Sequence, residues 1–118
     1  MSNLPPRDST EEFLNSVLRT ARTDLPEDKQ LQNILMGIAG ETGELIDCYK
    51  KQLFQGHDPD LSKVINEIGD ILFYLTWLAH HQGFDLRCCM AANTAKLKKR
   101  YPVSFSTEAS KERIDVDE

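Results

Sequence analysis

The chain is expected to be all-α, a four-helix bundle, on three observations. Apolar residues recur at three- and four-residue spacing through most of its 118 residues. Capping residues or a proline stand ahead of each such stretch. Strand-type alternation nowhere exceeds residues 103–105.

The first helix starts at Asp8 or Ser9 as N-cap, with Glu11 and Glu12 in its first turn, where the helix dipole favours anions. Phe13, Leu14, Val17, Leu18 and Ala21 follow at helical spacing until Leu25-Pro26 interrupts. The second helix runs from about residue 26 or 28 to 55. Leu31, Ile34, Leu35, Ile38, Leu45, Ile46 and Tyr49 mark its apolar side, and Glu41, Glu44, Asp47 and Lys51 form a polar line beside it. Gly56-His57-Asp58-Pro59 is a turn. The third helix, about 60–82, has an apolar stripe wide enough to be buried on more than one side, with Glu67, Asp70, Tyr74, Trp77 and His81 on the remaining face. Gly83 caps it, Asp85 opens a fourth helix to about Arg100, and the tail from Pro102 is polar and expected to be loosely ordered.

This length suits one domain, with a core over about 28–101. A lone bundle of this size cannot bury both the wide stripe and the apolar side of the second helix, so a homo-oligomer, dimer or tetramer, is expected through helix packing. Net charge is −5 and pI about 5.2, which argues against nucleic acid as the main partner. No apolar run is long enough to span a membrane, and residues 1–10 lack a signal-peptide stretch, so a cytoplasmic location is expected. Cys48, Cys88 and Cys89 lack metal-site spacing and are expected to be reduced thiols.

The functional signal is two carboxylate pairs, Glu41-x-x-Glu44 and Glu67-x-x-Asp70, each projecting from one face of its helix. Two unit charges about 4 Å apart repel by roughly 4 kcal/mol at an effective dielectric near 20. Four such groups around one space must protonate or hold multivalent cations. Oxygen-only ligands favour Mg²⁺ or Mn²⁺ over zinc, and an acidic protein that handles a polyanion needs metal between itself and the phosphates. A magnesium-dependent site for a phosphorylated substrate is the resulting expectation. Gly37, Gly40, Gly43 and Gly69 lie beside the carboxylates, each costing about 1 kcal/mol relative to alanine inside a helix. They read either as close helix–helix packing or as room for a ligand.

The segments Gly37-Ile38-Ala39-Gly40-Glu41-Thr42-Gly43-Glu44-Leu45, Asn66-Glu67-Ile68-Gly69-Asp70-Ile71-Leu72-Phe73-Tyr74-Leu75 and Asn93-Thr94-Ala95-Lys96-Leu97-Lys98-Lys99-Arg100-Tyr101-Pro102 resemble the MazG-type all-α nucleoside triphosphate pyrophosphohydrolases, over roughly residues 30–105. The resemblance implies hydrolysis between the α- and β-phosphates of a (deoxy)nucleoside triphosphate with two or more Mg²⁺ ions. It implies Glu44, Glu67 and Asp70 as metal ligands, with Glu41 as a ligand or as the base for the attacking water. The family's fuller motif, Glu-Glu-x-x-Glu, has Gly40 at its leading position here, which leaves the ion count and the water-activating group open. Lys96 and Arg100, four residues apart, are expected at the outer phosphates, with Asn93 on the same side. Lys51 is a further phosphate candidate. Tyr74 and Trp77 read either as core or as a nucleotide pocket and base-stacking surface.

Members of the family serve in nucleotide-pool housecleaning or supply a purine monophosphate for phage modified-DNA synthesis. The competing readings are a phosphoribosyl-ATP pyrophosphohydrolase, with a similar carboxylate core, and a non-catalytic helical binding or assembly module. A ferritin-like di-iron protein is excluded, because no Glu stands three residues before any histidine.

Overall fold

The computed structural model describes residues 4–113, which form five helices and, among those residues, no strand. They divide into two units, before and after the Phe84–Asp85 bond.

In the first unit, α1 (Thr10–Thr20) is capped by Ser9, whose hydroxyl accepts from the Glu12 N–H at 3.1 Å. Past α1, the Gln30 side-chain amide donates to the Thr23 and Leu25 carbonyls, at 3.1 and 2.7 Å, and fixes the linker to the start of α2. Pro26 sits at the N-cap of α2 (Glu27–Phe54), where its missing N–H costs nothing. Gly56, at φ +72°, turns the chain out of α2, and Asp60 caps α3 (Leu61–His81) by accepting from the Lys63 N–H. At the far end Gly83, at φ +93°, closes a Schellman motif: Phe84 N–H donates to Ala79 at 2.9 Å and Gly83 N–H to His80 at 3.0 Å.

The linker between α2 and α3 is short, so the two form an antiparallel hairpin, the most extensively packed helix pair. Helix α1 lies against α3, and Val17, Ile34 and Trp77 make a shared core ringed by Phe13, Ala21, Ile38, Phe73, Tyr74 and Leu78.

In the second unit, α4 (Leu86–Arg100) is capped by Asp85, and none of its residues is buried. The expected loose tail needs correcting, and with it the count of four helices, because Thr107–Glu112 is a fifth helix, α5. Ser106 accepts from the Ala109 N–H at 3.1 Å, and Glu108, Ala109, Lys111 and Glu112 are good helix formers. Tyr101 and Phe105 meet at 5.3 Å between ring centres, just ahead of it. The last part of the tail, 114–118, lies outside the described residues.

Candidate functional site

On α2, Ile34, Ile38, Glu41, Leu45 and Cys48 follow at four- and three-residue steps, the spacing of the row that faces a packed neighbour. On α3, Val64, Glu67, Ile71, Tyr74 and Leu78 do the same. Glu41 and Glu67 therefore stand in the packing rows themselves, where the pattern otherwise places apolar groups. Both are half-buried, and Asp70, one turn beyond Glu67, is exposed.

Ligand atoms of Glu41, Glu67 and Asp70 lie within 4.8 Å of one another. Oε2 of Glu67 is buried and has no hydrogen-bond partner. Glu41 is pushed above the usual glutamate range, first by desolvation, then by the charge on Asp70, by Glu67 as hydrogen-bond partner and like charge, and by Glu44. Such a group either keeps a proton or takes up positive charge. Its donors are all carboxylate oxygens, the set hard divalent cations prefer. Glu44 is exposed and stands outside this group of three, though its charge still reaches Glu41.

The glycines separate. A Cβ on Gly37 would run into the Tyr74 ring, whereas a Cβ on Gly40, Gly43 or Gly69 would meet nothing within 4 Å. Gly37 thus serves close packing, and the other three leave open space beside the carboxylates. Tyr74 packs edge-on to Phe73 and stacks on Trp77, with ring centres 5.2 and 6.4 Å away. Its outer side lines a cleft with Gln32, Asn33, Met36 and Gly37. Trp77 is only 2% exposed, so its indole presents no face to a base; the base-stacking role gives way to core packing against Val17 and Ile34.

Lys51 holds Asp47 at 2.9 Å across one turn, which raises the lysine and lowers the aspartate, chiefly through their hydrogen bond. It also lines a smaller cleft with Cys48, His57 and Lys63. Asn93, Lys96 and Arg100 are on α4, in the second unit, with Arg100 5.9 Å from the centre of the Tyr101 ring. Asn33 and Gln32 were not among the sequence candidates. The signal for Asn33 was its place four residues before Gly37 and eight before Glu41, on the side of α2 that carries Glu44.

Residues 29–105 match the MazG nucleotide pyrophosphohydrolase domain. Over 102 residues the chain is 26% identical to proteins named dCTP pyrophosphatase 1 from Homo sapiens and Bos taurus, covering 81% of this chain and 60% of each relative. The chain thus spans about 60% of the length of these curated relatives. No solved structure matches it.

Proposed function

The chain belongs to the MazG nucleotide pyrophosphohydrolase family, and from that premise we propose that it hydrolyses a ribo- or deoxyribonucleoside triphosphate to the monophosphate and pyrophosphate. The observation that carries this is the meeting of Glu41, Glu67 and Asp70 within 4.8 Å, with one buried Glu67 oxygen unpartnered. The all-oxygen donor set and the upward push on Glu41 fit Mg²⁺, with Mn²⁺ as a substitute; the count of two or more ions per site rests on the family resemblance. When bound, the metal supplies positive charge to the phosphoryl oxygens and the departing pyrophosphate, and makes water more acidic.

The chain's own groups do the rest. Glu44, Glu67 and Asp70 hold the ions, and Glu41 either joins them or takes the proton of the attacking water. Tyr74 and the cleft beside it receive the nucleoside, with Trp77 acting from behind by packing. Lys96, Arg100 and Asn93, with Lys51 as a further contact, answer the charge of the outer phosphates; this part rests on the sequence motif. Phosphoryl transfer needs positioning and charge stabilisation, so no covalent nucleophile is required. The protein works in the cytoplasm as a homo-oligomer, either clearing unwanted nucleotides or supplying a purine monophosphate from dGTP or GTP for phage modified-DNA synthesis. The name of the curated relatives puts dCTP beside these purine triphosphates as a substrate to test first.

The test is hydrolysis of a nucleoside triphosphate panel in ¹⁸O-labelled water with Mg²⁺. Attack at the α-phosphorus puts label in the monophosphate and none in pyrophosphate. Label in pyrophosphate, release of orthophosphate with a diphosphate, or no turnover of any triphosphate overturns the reading.

A further inference from the structure

The last residue of α3 is a histidine bonded to the first residue of α2. His81 lies about two turns beyond Tyr74 on the same face of α3. Its Nε2 stands 3.1 Å from the carbonyl oxygen of Glu27, 54 residues away along the chain. Its Nδ1 stands 2.9 Å from Nε2 of Gln82. A carbonyl only accepts, so Nε2 carries the ring proton and donates to Glu27. Nδ1 of the neutral ring then accepts from the Gln82 amide. One tautomer satisfies both bonds, and Gln82 holds the ring from its other side.

This bond falls where α2 has run past the core. Among the described residues, the cluster of Val17, Ile34 and Trp77 with the side chains packed on it draws nothing from 27–33, the first two turns of α2. The Gln30 amide stiffens the corner ahead of those turns, but it holds the Thr23 and Leu25 carbonyls of the linker and not α3. The same turns furnish one wall of the cleft beside Tyr74. Lys29, Gln32 and Asn33 stand in it, with Leu25 ahead of them and Met36 and Gly37 behind. The opposite wall is the Tyr74 ring, on α3. His81 therefore ties one wall to the helix that carries the other.

We propose that His81 is a positioning residue for the nucleoside: by holding Glu27 it sets the spacing between the Tyr74 ring and the 29–33 wall, and with it the width of the cleft that receives base and sugar. This role rests on the reading of that cleft as the nucleoside site and goes beyond it, since His81 lines neither the cleft nor the carboxylate group and acts through the wall. Glu41 lies about two turns past Asn33, and Glu67 about two turns before Tyr74. Both stand in the packing rows, which hold them whether or not His81 is bonded. Loosening at the nucleoside end weakens ground state and transition state alike, which raises KM and leaves kcat unchanged. Inorganic triphosphate, with no nucleoside, does not sense the wall.

The test compares His81→Phe, which keeps a ring and removes the donor, with His81→Gln, whose amide nitrogen reaches about as far as Nε2. The substrate is a nucleoside triphosphate that the wild-type chain hydrolyses with Mg²⁺. His81→Phe is expected to raise its KM roughly two- to tenfold, the worth of one hydrogen bond, at unchanged kcat. His81→Gln is expected to bring KM back toward the wild-type value. Inhibition by inorganic triphosphate is expected to be equal in all three proteins. Should His81→Phe fail to fold, His81→Asn, whose amide stops at the Nδ1 position short of Glu27, takes its place. An unchanged KM in the variant without the donor overturns the latch and leaves the hydrolase reading standing. A fall in kcat, weaker inhibition by inorganic triphosphate, or no rescue by glutamine makes His81 a structural tie only and overturns the latch as well. A wild type that turns over no triphosphate overturns the hydrolase reading and the latch with it.

Discussion

Replacing each helical glycine near the carboxylates by alanine should split the set in two. Alanine is favoured over glycine in a helix interior by about 1 kcal/mol, whatever the surroundings. At Gly40, Gly43 and Gly69 the new methyl meets nothing within 4 Å, so the whole gain should appear. For a chain of this length that is roughly 3–5 °C in melting temperature. At Gly37 the methyl overlaps the Tyr74 ring, which would have to leave its packing against Phe73 and Trp77 and shift toward the cleft on its outer side. Overpacking of this kind costs about 1–3 kcal/mol. Gly37→Ala should therefore lie that far below Gly40→Ala, a comparison in which the propensity term cancels. Urea unfolding followed by circular dichroism measures the difference. Tyr74→Ala supplies the control, since in that background Gly37→Ala should recover its gain of about 1 kcal/mol. If Gly37→Ala stabilises the wild-type chain as much as Gly40→Ala does, the packing role assigned to Gly37 is wrong.

Glu67→Ala, Asp70→Ala and Glu44→Ala should each abolish pyrophosphate release while apo stability holds or rises, because one of several repelling carboxylates is gone; near-normal turnover with Mg²⁺ would refute the site. A carboxyl whose folded pKa is raised adds stability that is present below its unfolded value, near 4.5, and is lost as pH climbs through the folded value. Metal-free wild type should accordingly lose stability over the interval just above 4.5, and Glu41→Gln should lack that component, as urea titrations at stepped pH would reveal. Lys96→Ala should weaken triphosphate binding about tenfold to a hundredfold, the worth of a hydrogen bond to a charged group, and spare the monophosphate. Calorimetry showing equal losses for both ligands would place Lys96 elsewhere.

Helices α1 to α4 were legible because their ends are set locally. Ser9, Asp60 and Asp85 each accept a backbone N–H three residues on, and these bonds depend on little beyond the next turn. Helix α5 was not, since six residues without an apolar row offer no periodicity, and only the Ser106 cap marks it. The carboxylates were legible as pairs but not as to depth. A polar residue in a periodic pattern reads as the edge of the buried face, and nothing in the chain alone distinguishes that edge from the packing rows where Glu41 and Glu67 stand. The glycines likewise read alike until Tyr74 is seen above one of them.

The placement of Glu41 and Glu67 in the packing rows divides the hairpin along its length. Ile34 and Ile38 share the core with Tyr74 and Leu78 toward one end, the rows continue to Leu45, Cys48 and Val64 toward the other, and between them stand two carboxylates with Ile71 beside them. Without a cation, amide exchange should therefore be fastest at mid-helix, the reverse of the usual fraying from the ends. A cation held by these carboxylates would act there as a clasp joining two short zippers into one rod. Occupancy of the site and rigidity of the hairpin would then be a single variable.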